Sequence, residues 1–154
     1  RYLRINNLAL EGLPDDLTVT THICRGNYHS TYASSGPYDK VAPYVFAQEK
    51  VESFYLEYDD KRSGNFTSLK EIPRGKKVVL GLITSKRPEL ESKELVKRRI
   101  YEASQYVPLR DLYLSPQCGF ASCEIGNKLT EEEQFAKLRL VKEIAEEVWG
   151  AEEA

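Results

Sequence analysis

Apolar residues recur along the chain at helical spacing in some stretches and at strand spacing in others. The changes between the two divide the sequence into units. Residues 2–11 carry apolar positions at helical spacing and are stopped by Gly12, Pro14, Asp15 and Asp16. Residues 17–23 are rich in β-branched side chains and predict a strand. A turn-rich stretch, 27–36, precedes a helical segment with Pro37 near its first turn and Val41, Val45 and Phe46 along it. Residues 53–58 predict a second strand. Ser63-Gly64-Asn65, Pro73 and Gly75 then mark a loop before a third strand over 78–84. Ser92 is placed to cap a helix through Leu95, Val96, Arg99, Ile100 and Ala103, and residues 112–115 predict a short fourth strand. The last helix is the clearest. Thr130 and Glu133 form a capping box, Glu131 and Glu132 suit the positive end of the dipole, and Gly150 is placed to terminate it. Its predicted apolar stripe is Phe135, Leu138, Val141, Ile144 and Val148.

Four strands separated by long connections, at least three of them helical in pattern, predict an α/β fold with parallel strands joined by crossovers. A doubly wound sheet and part of a (β/α) barrel both fit this pattern. The 154 residues give room for a single domain, 1–154. With 22 Lys and Arg against 24 Asp and Glu, the chain lacks the cationic excess of a nucleic-acid binder. No run approaches the roughly 20 apolar residues of a membrane span, and nothing at the start reads as a signal peptide. Three Cys are too few and too odd in number for a secreted disulfide scaffold, so a reducing, cytoplasmic setting is expected. There is no Met, and Arg1 already lies in a helical pattern, so we expect a piece of a longer chain, methionines in modified form, or both.

The chemistry gathers at strand ends. Alternation in Thr18-Val19-Thr20-Thr21-His22-Ile23-Cys24 puts His22 and Cys24 on one face, with Val19, Thr21 and Ile23 on the other. In the second strand Phe54, Leu56 and Tyr58 share one face, which leaves Glu57 on the other, again at the C-terminal end. Cys118 follows the fourth strand in Ser115-Pro116-Gln117-Cys118-Gly119-Phe120. One imidazole, two thiols and one carboxylate thus converge on the edge where α/β proteins bind ligands. That donor set suits tetrahedral zinc. Two thiolates and a carboxylate make the site net −1 with Zn²⁺, a poor activator of water but a good holder of an electron-rich thiolate, so thiol alkylation is favoured over hydrolysis. Cys123 reads as a bystander and His29 as a solvated loop residue. Arg25, Lys61-Arg62 and Lys86-Arg87 each follow a strand and suggest a cationic rim for an anionic substrate group.

The motifs His22-Ile23-Cys24-Arg25-Gly26-Asn27, Leu56-Glu57-Tyr58-Asp59-Asp60 and Leu114-Ser115-Pro116-Gln117-Cys118-Gly119-Phe120 resemble the C-terminal catalytic domain of cobalamin-independent methionine synthase. They are most similar to the short bacterial paralogues that lack the family's N-terminal domain. The resemblance runs along essentially the whole chain. It implies the C-terminal half, the last four β/α units, of a (β/α)8 TIM barrel, an incomplete catalytic barrel that needs its remaining half. It implies zinc held by His22, Cys24, Glu57 and Cys118, and methyl transfer from a methyltetrahydrofolate to the thiol of homocysteine, giving methionine. There is one departure. Where the family has a His before Ser-Pro after the third strand of this half, the chain reads Thr84-Ser85-Lys86-Arg87-Pro88. Lys86 is expected to bind an anionic substrate group and not to replace that His as proton donor. The competing expectations are a zinc thiol methyltransferase with another methyl donor and a non-catalytic, structural zinc site acting with another chain.

Overall fold

The computed structural model describes residues 1–150. Strands β1 (Thr20–Ile23), β2 (Ser53–Glu57), β3 (Lys77–Ile83) and β4 (Leu112–Pro116) form one parallel sheet in the order β1-β2-β3-β4. Each strand adds to the same side of its predecessor, with no reversal of order. That is the winding of a barrel segment and not of a doubly wound sheet. β3 is a continuous apolar run, Val78 to Ile83, buried on both faces, as a central parallel strand must be. β1 lies at an edge and alternates exposed and half-buried residues. Pairing begins only at Thr20↔Ser53, so Leu17 and Thr18 of the predicted strand stay outside it.

The crossovers are less helical than the pattern predicts. Only α3 (Lys93–Ala103) is a full connecting helix, capped by Ser92 Oγ accepting from the Leu95 N–H at 3.4 Å. Between β1 and β2 the chain makes a 3-10 turn (Tyr38–Lys40) and then a single-turn helix, α2 (Val45–Gln48). Pro43 divides them, because it has no N–H to donate and disfavours helix in the residue before it. Between β2 and β3 there are two 3-10 turns only, Lys61–Ser63 and Thr67–Glu71. At the start of the chain, α1 (Tyr2–Ala9) docks through Asn6 and Asn7, which bond to Glu49, Gln48 and Lys50.

One face of the sheet is covered by these connections. Phe54, Leu56 and Tyr58 point into it, as the alternation predicts, and meet Tyr38, Phe46 and Phe66. Ring centroids 4.7 to 5.5 Å apart link Phe54, Phe46, Tyr38, Tyr58 and Phe66 in one chain of tilted and edge contacts. The last helix, α4 (Glu131–Trp149), has the predicted capping box, and Gly150 ends it at φ 88°. Its buried side matches the predicted stripe in the C-terminal half, at Val141, Ile144 and Val148, and departs from it in the N-terminal half. Lys137, Leu140 and Ile144 face the core, while Phe135 and Leu138 remain 47% and 39% exposed. The reason is electrostatic. Lys137 Nζ reaches the Glu89 carbonyl at 2.7 Å and both Glu91 oxygens at 3.1–3.2 Å, which turns that side of the helix inward. No described helix is long and apolar enough to cross a membrane.

Candidate metal centre

Three strands deliver four donors to one point. β1 places His22 on the uncovered face of the sheet, level with Tyr55 of β2, and Cys24 lies just beyond the strand end. Glu57 ends β2 with no solvent exposure. Cys118 follows β4, where Gly81 has a structural role. A Cβ there would lie 2.7 Å from Gln117 Cα and 2.9 Å from the Leu56 carbonyl, so the backbone preceding Cys118 can approach β3 only because residue 81 is glycine. A register shift between Gly81 and Ile83 and a bond from the Gln117 N–H to the Ile83 carbonyl at 2.7 Å then turn the chain toward the site.

The donor atoms of His22, Cys24, Glu57 and Cys118 all lie within 4.8 Å of one another. Cys24 Sγ and Cys118 Sγ are 3.9 Å apart, and His22 Nε2 is 3.4 Å from Glu57 Oε1. A tetrahedral zinc ion with bonds of about 2.0–2.3 Å spaces its donors by roughly 3.3–3.8 Å, so the separations suit such an ion. Both Glu57 carboxylate oxygens are buried and have no hydrogen-bond partner. A buried carboxylate left without hydrogen bonds is costly unless a cation meets it, either the His22 imidazolium at 3.4 Å or a metal ion. The Cys118 thiol beside His22 is chiefly responsible for holding the imidazole's pKa up, to about 10, with Glu57 adding to it. The same contact pulls the Cys118 thiol below its usual value. Without a cation the site therefore favours an imidazolium beside a thiolate.

The surrounding groups fix these donors. Tyr38 is buried under the Arg25 guanidinium, 4.2 Å from its ring centroid, and its hydroxyl accepts from the Glu57 N–H at 3.0 Å. The Gly26 N–H points at Cys24 Sγ, 3.2 Å away. Gly26 has φ 93°, and a Cβ there would come within 2.5 Å of the Ala33 nitrogen. The sequence motif contains Gly26, but nothing in its spacing shows this contact; Tyr38 gives no sequence signal beyond an aromatic after Pro37. Cys123 is not in the cluster, in keeping with its reading as a bystander. His29 is half-buried and bonded to the Gly126 carbonyl at 3.1 Å, which corrects its reading as a solvated residue.

Two members of the expected cationic rim are engaged in other contacts, while Lys61 and Arg87 are exposed. Arg25 is buried on Tyr38, and Arg62 is held by Asp59 at 3.0 Å and Asp60 at 2.6 Å. Lys86 is different. It is 8% exposed, and its Nζ has no partner among the described residues. Its neighbour Ser85 is tied to the Cys118 loop through Gln117 Nε2, which donates to Ser85 Oγ at 2.7 Å.

Known proteins share this sequence and fold. The family model described as the catalytic domain of cobalamin-independent synthase matches residues 4–147. The Bacillus subtilis protein YxjG is 58% identical over 144 residues, which is 93% of this chain and 38% of YxjG. A solved structure from Listeria monocytogenes is 42% identical, with a TM-score of 0.75 over 97% of this chain and 41% of its own. A B12-independent methionine synthase from Shewanella sp. W3-18-1, solved in complex with selenomethionine, is 25% identical, with a TM-score of 0.76 over 96% of this chain and 42% of its own. The chain thus spans about two fifths of the length of these relatives, and its four-stranded sheet matches part of their TIM barrel. A match over nearly all its residues, on a barrel-type sheet with the four donors at its C-terminal edge, makes this chain a member of the cobalamin-independent synthase catalytic-domain family.

Proposed function

We propose that this chain is the zinc-binding half of a thiol methyltransferase barrel, with homocysteine as acceptor and a methyltetrahydrofolate as donor. The observation that carries the reading is Glu57. Its carboxylate is fully buried without a hydrogen bond among the described residues, and it faces the His22 imidazole at 3.4 Å in a donor set completed by two thiols. Zinc bound there would lower the pKa of an incoming thiol and keep the sulfur nucleophilic. The reaction forms a sulfur–methyl bond as the methyl–nitrogen bond of the donor breaks. The bonding pair stays on the donor nitrogen, which takes up one proton as the thiol gives one up, so the products are a thioether and the demethylated donor. In this reading His22, Cys24, Glu57 and Cys118 are the metal ligands, and Tyr38 and Gly26 orient Glu57 and Cys24.

Lys86 binds an anionic group of one substrate. A buried ammonium without a partner calls for an anion, and Lys86 follows β3 at the same edge as the four donors. The relative from Shewanella was solved with selenomethionine, an analogue of the methylated product, which agrees with an amino-acid thiol as acceptor. β1 and β4 each pair on one side only, so the other four β/α units would close the barrel and cover the sheet face that carries His22 and Tyr55. Zinc X-ray absorption on the intact protein tests the reading. One zinc with two sulfurs, one nitrogen and one oxygen is expected, with a further sulfur appearing on addition of homocysteine. A full two-sulfur site that takes up no third sulfur would instead support a structural zinc domain.

A further inference from the structure

β1 and β4 are the opposite edges of the sheet. Three strand spacings of about 4.8 Å separate them, roughly 14 Å along the sheet. Yet the thiols that follow them, Cys24 and Cys118, are 3.9 Å apart. Strand pairing does not account for that approach, because no ladder bond joins β1 to β4. A separate set of contacts does join their loops. Asn27 Nδ2 donates to the Gly119 carbonyl at 2.7 Å, one residue after Cys118. Asn127 Nδ2 donates to Asn27 Oδ1 at 3.1 Å and to the Ser85 carbonyl at 2.7 Å, while its Oδ1 accepts from the Ser30 N–H at 3.1 Å. The Lys128 N–H donates to Ser30 Oγ at 2.8 Å, and His29 Nδ1 meets the Gly126 carbonyl at 3.1 Å.

We propose that this clasp, residues 27–30 of the β1 loop on residues 119–128 of the β4 loop, positions the two thiols for a shared metal ion, with Asn27 and Asn127 as its central residues. Backbone strain is the second line of support. His29 and Ser30 both have positive φ, 43° and 65°, inside a two-residue turn closed by paired bonds between Tyr28 and Thr31 at 2.8 and 2.9 Å. Such turns favour Asn-Gly, since other residues are disfavoured in the left-handed region. Here the turn carries His-Ser, and both side chains bond to the β4 loop. Strain of this kind persists where surrounding contacts over-determine it. The clasp also reaches the Lys86 loop through Ser85, so one amide, that of Asn127, ties together the loops that follow β1, β3 and β4. Metal binding and clasp formation are then coupled, each stabilising the other.

This inference rests on the zinc reading of the site, and the test separates the two. In the intact protein, zinc affinity is measured by chelator competition and the sulfur count by X-ray absorption, for the parent, Asn127→Leu and the double change His29→Gly with Ser30→Gly. The double variant relieves the turn strain while removing the His29 and Ser30 side-chain contacts, so its metal-free melting temperature should hold or rise. Zinc affinity should nonetheless fall about tenfold or more in both variants, the scale typical of groups that orient metal ligands. Affinities within twofold of the parent in the double variant would overturn the clasp, whatever happens to the folding of Asn127→Leu. A parent that binds no zinc through two sulfurs would sink the zinc reading itself.

Discussion

Replacing Lys137 by Met tests how α4 is anchored to the loop that carries Lys86. The side chain of Lys137 is fully buried, and its Nζ bonds to the Glu89 carbonyl and to both Glu91 oxygens. Glu91 Oε1 in turn accepts from the Thr84 N–H at 2.9 Å, so the lysine, the glutamate and the end of β3 form one chain of contacts. Met keeps the length and packing of Lys137 but strands the Glu91 carboxylate and the Glu89 carbonyl. Breaking a buried pair by removing one partner costs about 3–5 kcal/mol. Glu91 is 18% exposed, so water still reaches it, and the low end, about 3 kcal/mol, is expected. For a chain of this size that corresponds to a drop of roughly 6–12 °C in Tm. Adding Glu91→Gln removes the stranded charge while leaving an oxygen for the Thr84 N–H, so the double variant should recover most of the loss. Urea denaturation of the intact protein followed by circular dichroism measures both values. A loss under about 1 kcal/mol for Lys137→Met, or a double variant no more stable than the single, would refute the argument that this pair is held as a unit.

Cys24→Ser and Cys118→Ser should each lose most of the bound zinc and Cys123→Ser should keep it; equal loss in all three, read by metal analysis, would overturn the ligand set. In the metal-free protein, the His22 ring should stay protonated well past neutrality, since its pKa is raised from 6.5 to about 10 with Cys118 as the largest cause. A raised histidine pKa means stability that is present in full below pH 6.5 and is lost as pH rises through about 10. Nitrogen NMR should therefore show His22 titrating high in the parent and markedly lower in Cys118→Ser, and an unchanged midpoint would remove Cys118 as the cause. Lys86→Arg should keep most turnover while Lys86→Gln mainly raises KM for the anionic substrate. A collapse of kcat in Lys86→Arg at unchanged KM would count instead for a proton-donor role.

The strands, the parallel sheet and the four donors are legible in the sequence because each rests on local pattern. Alternation in residues 20–24 and 53–57 assigns faces directly, and His22, Cys24 and Glu57 follow from it. The four candidate donors group together on sequence pattern alone because parallel strands send all their C-terminal ends to one edge. Features that depend on a partner far along the chain are not legible in this way. The stripe on α4 reads correctly at Val141, Ile144 and Val148 but misses the N-terminal half, where Phe135 and Leu138 stay exposed and Lys137 is buried. Lys137 looks polar in isolation, and its burial is set by Glu91, 46 residues earlier. The helical pattern from Pro37 reads as one element, yet Pro43 breaks it, and here the signal is local and present in the sequence itself.

The clasp shows the same limit on a larger scale, and it explains why the motif is built as it is. In the sequence, Asn27 is the last residue of the first motif and has no visible function, while Asn127 lies outside all three motifs. Their bond spans 100 residues. A parallel sheet brings strand ends to a common edge but spreads them across its width, so it cannot by itself bring donors from its two outermost strands into one coordination sphere. Loops must close that gap, and loops hold a fixed separation only when their buried polar groups find partners in each other. Asn is suited to this role because one amide both donates and accepts, so Asn27 joins Gly119 and Asn127 at once. On the proposed reading, the four donors would supply the chemistry of the site, and the amides between them the distance at which two thiols from opposite edges could meet one ion.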